Sequence, residues 1–98
     1  MAKEIRWSQE SVDTFNKIIE YLEKNWSQRG IENFINATEI TLRFITESPK
    51  MFRKTSKKNV HEALITPHNL MIYKIIGERI DIITFWDTRK NPGKKKHK

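Results

Sequence analysis

The sequence of 98 residues contains no cysteine, three glycines and three prolines. The lack of cysteine excludes a disulfide framework, a thiol nucleophile and thiolate metal sites. The three histidines, His61, His68 and His97, do not have the spacing of metal ligands, so we expect no metal and no cofactor. No stretch approaches the length of a membrane span, and the first ten residues have no apolar signal core. We therefore expect a soluble cytoplasmic protein without membrane association.

Acidic residues are scarce in the second half of the chain. Residues 1–49 carry six basic and eight acidic side chains, whereas residues 50–98 carry thirteen basic and four acidic ones. The net charge of +7 therefore comes from the second half. A basic half of this kind indicates contact with a polyanion or with an acidic protein, although many small proteins are basic and bind no nucleic acid.

The length and composition are typical of one small folded unit. Hydrophobic residues make up 37% of the chain and are clustered, which suffices for one modest core but leaves no room for a second. We predict a single domain over residues 1–92. Residues 93–98, with the sequence GKKKHK, contain no apolar side chain and are predicted to form a disordered basic tail.

A strand and two helices are predicted in the first half. Lys3–Trp7 alternates apolar and charged residues as a strand does, and Ser8 is typical of a helix N-cap. A first apolar stripe then follows at helical spacing, formed by Val12, Phe15, Ile18, Ile19, Leu22 and Trp26. A second begins after Ser27 and is formed by Ile31, Phe34, Ile35, Thr38, Leu42 and Ile45. Pro49 ends it, and the short linker predicts a helix hairpin.

Strands are predicted in the second half, after a polar and basic loop at residues 50–59. The strands cover residues 60–65, 70–76 and 79–86, and the short turns between them require antiparallel pairing. The expected fold class is therefore α+β, with an N-terminal strand and a helix hairpin packed on an antiparallel sheet of about four strands. Residues 70–76 are apolar on both faces, so we expect the face away from the helices to be either covered by the chain itself or a binding surface.

Five segments, in this order, resemble the RelE/ParE toxin superfamily. They are Ile5-Arg6-Trp7-Ser8, the passage from Tyr21-Leu22 to Trp26-Ser27, Glu47-Ser48-Pro49, the run from His68 to Ile75, and the run from Ile82 to Pro92. The resemblance covers residues 3–92. It implies a growth-inhibiting, plasmid-stabilising toxin of a type II toxin–antitoxin pair, made beside a cognate antitoxin that binds and silences it as a hetero-oligomer.

The resemblance implies two mechanisms. RelE-like members cut mRNA in the ribosomal A site, and ParE-like members poison DNA gyrase. In the first case Arg89 matches the family's basic residue after the last strand and could hold a phosphate, next to Lys90. Lys57 and Lys58 lie where RelE-like enzymes carry basic residues, and His61 could supply acid–base chemistry.

Two departures weaken the nuclease alternative. Leu70 stands where RelE-like enzymes place an arginine, and no tyrosine follows Tyr73. We therefore favour a ParE-like, gyrase-directed or otherwise non-nucleolytic toxin. The alternatives are a metal-free, ribosome-dependent mRNA endonuclease and a non-toxic basic binding module, so whether the chain is an enzyme is left open.

The candidate site residues also have plain structural explanations. Arg89 could pair with Asp87, the two lysines could form a solvated loop, and His61 could lie on the surface of its strand. For the antitoxin we predict an acidic, partly disordered segment that folds on an apolar and basic sheet surface, with contacts at Leu70, Ile72 and Lys74.

Overall fold

A computed structural model describes residues 3–88 of the chain. In this structure two helices cover one face of a five-stranded sheet. The elements in chain order are β1 (Glu4–Trp7), α1 (Gln9–Asn25), α2 (Gln28–Glu47), β2 (Arg53–Lys54), β3 (Val60–Thr66), β4 (Asn69–Ile76) and β5 (Arg79–Asp87). The predicted α+β class is confirmed. Arg89, Lys90 and the predicted tail at 93–98 lie outside the described residues, and the domain boundary at residue 92 stays a prediction.

Helix α1 begins at Gln9, directly after the predicted N-cap residue Ser8. The backbone of Ser8 is extended, and its Oγ accepts a hydrogen bond of 3.0 Å from the backbone N–H of Ser11. Glu10 lies in the first turn, where its charge complements the helix dipole. Inclusion of Val12 and Trp26 in the buried stripe was wrong, since Val12 is 36% exposed. The helix ends at Asn25, Trp26 is extended, and its side chain is 60% exposed.

Helix α2 ends at Glu47, ahead of Pro49, as predicted. Ser27 occupies the N-cap position, but its side chain makes no capping hydrogen bond. The inner face differs from the prediction at one position: Ile35 is 37% exposed, and Thr41 is buried instead. The hydroxyl of Thr41 donates to the carbonyl oxygen of Ala37 within the helix, so its burial leaves no unpaired donor.

The sheet has the strand order β1-β5-β4-β3-β2. Strands β2 to β5 are antiparallel neighbours, and β1 pairs with β5 in parallel, with Ile5 beside Ile80. The prediction of about four antiparallel strands was therefore wrong in two respects. Strand β2 was expected to be part of an irregular loop, because two charged residues carry no periodic pattern. Parallel pairing of β1 and β5 depends on a crossover through the whole intervening chain, which local patterns do not reveal.

A β-bulge in β5 brings the sheet against the start of α1. The register places Ile72 beside Thr84 but Tyr73 beside Ile82, so Ile83 is the extra residue. The backbone N–H of Phe85, just after the bulge, donates a hydrogen bond of 3.0 Å to Oγ1 of Thr14 in α1. The hydroxyl of Ser8 donates to the carbonyl oxygen of Ile83 at 2.9 Å. Backbone groups at the bulge therefore hydrogen-bond to side chains at the start of α1 and hold this helix against the sheet.

The core between helices and sheet is rich in aromatic rings. The ring centroid of Phe15 lies 5.1 Å from Phe34, 5.2 Å from Phe85 and 5.4 Å from Trp7. Around these rings are Ile18 and Ile45 of the helices and buried side chains of β3, β4 and β5. Such aromatic pairs contribute about 0.5–1.5 kcal/mol beyond their burial. Between residues 3 and 88 no helix is both long enough and apolar enough to cross a membrane.

Candidate functional site

A basic hollow lies beside the start of β3. Its volume is about 350 Å³, and we call it the lysine hollow. Nine residues line it, and none is acidic: Lys50, Lys54, Thr55, Ser56, Lys57, Lys58, Asn59, Val60 and His61. Four ammonium groups around one concave surface create a positive potential that attracts anions.

The segment between β2 and β3 is held in a tight turn by Thr55. Its Oγ1 accepts a hydrogen bond of 3.1 Å from the backbone N–H of Lys57 and donates one of 3.0 Å to the carbonyl oxygen of Val60. Asn59 has a φ of 63°, in the left-handed region that asparagine tolerates better than most residues. This turn fixes the backbone of Lys57 and Lys58, and both lysines line the lysine hollow.

His61 lies at the base of this region and is only 3% exposed. Its Nδ1 is 3.0 Å from the carbonyl oxygen of Phe52, and its ring is stacked on that of Tyr73 with 5.5 Å between centroids. The expectation of a histidine on the strand surface was therefore wrong. The burial depends on the facing tyrosine and on the chain before β2, and neither is visible in the local sequence. A catalytic role for His61 stays a prediction.

The three residues predicted to bind the antitoxin share the face of β4 that points away from the helices. Leu70 is 9% exposed and Ile72 is fully buried, whereas Lys74 is exposed. The apolar surface expected there is thus largely covered. Across from Leu70, however, Leu64 of β3 is 60% exposed. Leu64 could not be selected from its local pattern, because its exposure depends on its position in the sheet.

Two arginines elsewhere on the sheet interact with carboxylate groups. Arg79 donates hydrogen bonds of 2.8 Å and 3.3 Å to the two carboxylate oxygens of Asp81. These hydrogen bonds first, and the charge of Asp81 second, raise the pKa of the Arg79 guanidinium. Arg53 lies 3.7 Å from the buried carboxylate of Glu62. Arg89 and Lys90, the remaining predicted contacts, fall beyond the part of the chain that the structure describes. Within that part no three His, Cys, Asp or Glu side chains cluster as metal ligands would.

The sequence as a whole matches a known family. Residues 5–92 match the family described as the ParE toxin of the type II toxin–antitoxin system, parDE. The chain is a ParE-family toxin. The match covers nearly all of the domain predicted from the sequence, and it confirms the resemblance to the RelE/ParE superfamily. No curated protein matches the chain.

Solved structures similar to this ParE-family toxin share its fold at low sequence identity. A chain of the chromosomal ParDE system of P. aeruginosa aligns with a TM-score of 0.73 and 8% identity, over 88% of this chain and 96% of that one. RelE of E. coli, substituted at two arginines and in the free state, aligns with a TM-score of 0.65 and 12% identity, over 94% of this chain and 90% of that one. A chain of the E. coli DinJ–YafQ toxin–antitoxin complex aligns with a TM-score of 0.63 and 11% identity, over 93% of this chain and 98% of that one.

Proposed function

We propose that this ParE-family toxin arrests growth by acting on DNA gyrase and does not cut RNA. The observation that carries the proposal is Leu70. It stands where RelE-like enzymes place an arginine, and here its side chain is 9% exposed within β4. In strands β3 to β5 the single arginine is Arg79, which already binds Asp81 in a bidentate arrangement. Strands β3 to β5 therefore offer no uncommitted guanidinium for a scissile phosphate.

This deficit matters because cleavage of RNA without a metal has several requirements. A base must remove the proton of the 2′-hydroxyl, positive charge must stabilise the phosphate, and an acid must protonate the leaving oxygen. The lysine hollow provides charge, and His61 provides one titratable group. A guanidinium that grips phosphate bidentately differs from a lysine, which acts as a point charge on a flexible stem. Gyrase poisoning, which the family resemblance implies for ParE-like members, does not need this constellation.

We further propose that a cognate antitoxin silences the toxin on the sheet face that points away from the helices. The relatives support such a partner, since YafQ of E. coli was solved in complex with DinJ. On this face Leu64 and Lys74 are exposed, while Leu70 and Ile72 form a buried floor between strands. An acidic segment with apolar side chains would match Leu64 and Lys74 together. We expect Leu64→Asp to weaken binding of the neighbouring gene's product.

The experiment that tests the target uses the whole chain under tight induction, alone and with its neighbouring gene. Purified toxin is then added to a gyrase supercoiling assay, and mRNA ends are mapped in the arrested cells. We expect arrest that the neighbour relieves, inhibition of supercoiling, and no cuts phased with the ribosome. Phased cuts with normal supercoiling would contradict the gyrase proposal. The absence of arrest at verified soluble expression would instead favour a non-toxic binding module.

A ribosome-dependent mRNA endonuclease is the second candidate, and one observation favours it. His61 lines the lysine hollow together with four lysines, so an imidazole and four cations border the same concave surface. If this candidate is right, His61→Gln abolishes the phased mRNA cuts, whereas His68→Gln, in the exposed turn before β4, preserves them. If the gyrase proposal is right, neither substitution produces or removes such cuts.

A further inference from the structure

Helix α2 carries apolar side chains on the face that points away from the sheet. Its inner face is buried, with Phe34 and Ile45 in the core. On the opposite face Ile40 and Phe44, one turn apart, are each 48% exposed. Met51, which follows the end of the helix, is 56% exposed. Because side chains at this spacing are neighbours on a helix surface, Ile40 and Phe44 form one apolar ridge.

Two charged residues lie beside this ridge. Arg43 and Glu47 are exposed and come three residues after Ile40 and Phe44, respectively. The four side chains therefore share one stripe of the helix, and we call them the outer stripe. Between residues 3 and 88 no salt bridge includes Arg43 or Glu47. Both charges are thus available to a partner molecule.

The charges along α2 disfavour a polyanion or an acidic segment as the partner of the outer stripe. The helix contains three glutamates, two arginines and no lysine. A nucleic-acid backbone, or the acidic antitoxin segment proposed above, would meet the exposed carboxylates of Glu39 and Glu47. A surface that carries both signs of charge in near balance instead matches a second surface of the same composition.

Two copies of the outer stripe are complementary when they meet in antiparallel orientation about a twofold axis. Such a contact uses the same patch on both subunits. With the axis at the level of Ile45, Arg43 of each copy faces Glu47 of the other, so two ion pairs form. The two Phe44 rings then lie within about 3 Å of each other along the helix axis. In a parallel pair, by contrast, Arg43 would face Arg43.

We propose that this toxin forms a homodimer through the outer stripe of α2, with the two helices antiparallel. In this arrangement Ile40 of each copy lies opposite the end of the other α2, close to Met51. Burial of the apolar ridges drives association, and the reciprocal ion pairs set the orientation. The sheets lie on the outside of the dimer, so the face that carries Leu64 and Lys74 stays accessible. The inference is independent of the proposed target, since it concerns neither gyrase nor the ribosome.

Sedimentation equilibrium of the purified full chain tests the dimer. A contact between two single helices buries less area than a standard interface, so we expect a dissociation constant on the order of 10 μM. The average mass should rise from that of one copy toward that of two between about 1 and about 200 μM. A chain that stays monomeric over this whole range would overturn the proposal.

A matched pair of variants locates the contact. Phe44→Asp should stay monomeric, because it places a carboxylate at the centre of the apolar contact. Leu64→Asp, which changes an exposed apolar residue of the sheet, should dimerise like the unsubstituted chain. Thermal melting checks that both variants are folded. Equal dimerisation of the two variants, or loss of the dimer in Leu64→Asp alone, would overturn the assignment to α2.

Charge variants test the reciprocal pairing. Arg43→Glu alone and Glu47→Arg alone place like charges opposite each other, and we expect each to weaken dimerisation about tenfold. The doubly substituted chain, and an equal mixture of the two single variants, restore opposite charges and should regain most of the affinity. Lys17→Glu changes the net charge on α1 as much as Arg43→Glu does on α2. Equal losses for these two variants would show a general charge effect and overturn the pairing.

The orientation can be measured with a spin label, because the chain has no cysteine of its own. Glu32→Cys offers one labelling site per copy, exposed near the start of α2 and outside the outer stripe. In the antiparallel dimer the two labels lie about 40 Å apart along the helix axis, whereas a parallel pair would bring them within about 20 Å. We expect double electron–electron resonance to give the longer distance.

This distance also tests the proposal without any substitution in the outer stripe, so it does not depend on the folding of Phe44→Asp. The shorter distance, or no defined distance at about 200 μM, would overturn the antiparallel dimer. Loss of the longer distance when the neighbouring gene's product is added would assign the outer stripe to that partner and overturn a second copy as its occupant. Persistence of the distance in that complex would support two toxin copies joined at α2.

Discussion

The hydroxyl of Tyr73 donates a hydrogen bond of 2.7 Å to the backbone carbonyl oxygen of Pro49. This bond joins the central strand of the sheet to the chain just after α2, and Tyr73 is fully buried. We expect Tyr73→Phe to lower the free energy of unfolding by about 1–2 kcal/mol, because the carbonyl group loses its donor inside the protein. Urea denaturation measures the change. Unaltered stability with an unaltered m-value would show that water replaces the hydroxyl.

Burial of Tyr73 also predicts a loss of stability in alkali. Desolvation raises the pKa of its hydroxyl above the ordinary value of 10.0. Above about pH 10 the unfolded chain loses this proton while the folded chain retains it. The unfolded state then binds fewer protons, so the free energy of unfolding falls as pH rises, by up to about 1.4 kcal/mol per pH unit. Below about pH 10 this contribution is fully present.

The same substitution is the control for the alkaline effect, since Tyr73→Phe has no hydroxyl to titrate and keeps every lysine. We expect the difference in stability between the two chains to shrink from about pH 9 to about pH 11. Parallel stability curves over this range would contradict a raised pKa for Tyr73.

The two N-cap serines should differ in their contribution to stability. Ser8 accepts from Ser11 and donates to the carbonyl oxygen of Ile83, whereas the side chain of Ser27 makes no capping bond. We expect Ser8→Ala to cost about 1–2 kcal/mol and Ser27→Ala a few tenths. Thermal unfolding of both variants checks this. Equal costs would show that α2 is capped by Ser27 in solution.

Thr14 should contribute more to the stability of the fold than a threonine that hydrogen-bonds only within its own helix. Its Oγ1 accepts from the N–H of Phe85, and Phe85 is buried. We expect Thr14→Val to cost about 1–3 kcal/mol, since that N–H loses its acceptor. Thr46 donates only to the carbonyl oxygen of Arg43, so Thr46→Val should stay within about 0.5 kcal/mol. Chemical denaturation compares the two, and equal effects would argue against anchoring of α1 at the bulge.

Local signals allowed both helices and four of the five strands to be predicted. Ser8 and Pro49 mark where a helix begins and another ends, and Gly77, with a φ of 56°, supplies the left-handed turn between β4 and β5. Strand β2 could not be predicted, because Arg53 and Lys54 acquire strand geometry only by pairing with β3. The parallel position of β1 was equally invisible, since its partner lies more than seventy residues away in sequence.

The candidate site was predictable in composition but not in geometry. The run of lysines before β3 was visible as a basic segment. The depth of His61 was not, because it depends on the ring of Tyr73 on the next strand and on the carbonyl group of Phe52. The burial of Ile72 and the exposure of Leu64 likewise arise from their places in the sheet, although both belong to strands rich in apolar residues.

The pairing of the first strand with the last has a consequence during synthesis. Trp7 stacks on Phe85, and the backbone N–H of Ser8 donates to the carbonyl oxygen of Ile82. Neither partner exists until the ribosome has made β5, and such distant contacts form late. We expect an interrupted translation product that ends before β5 to leave α1 without its anchor and to be harmless. A cell that makes this toxin is then exposed to its effect only after translation has passed β5.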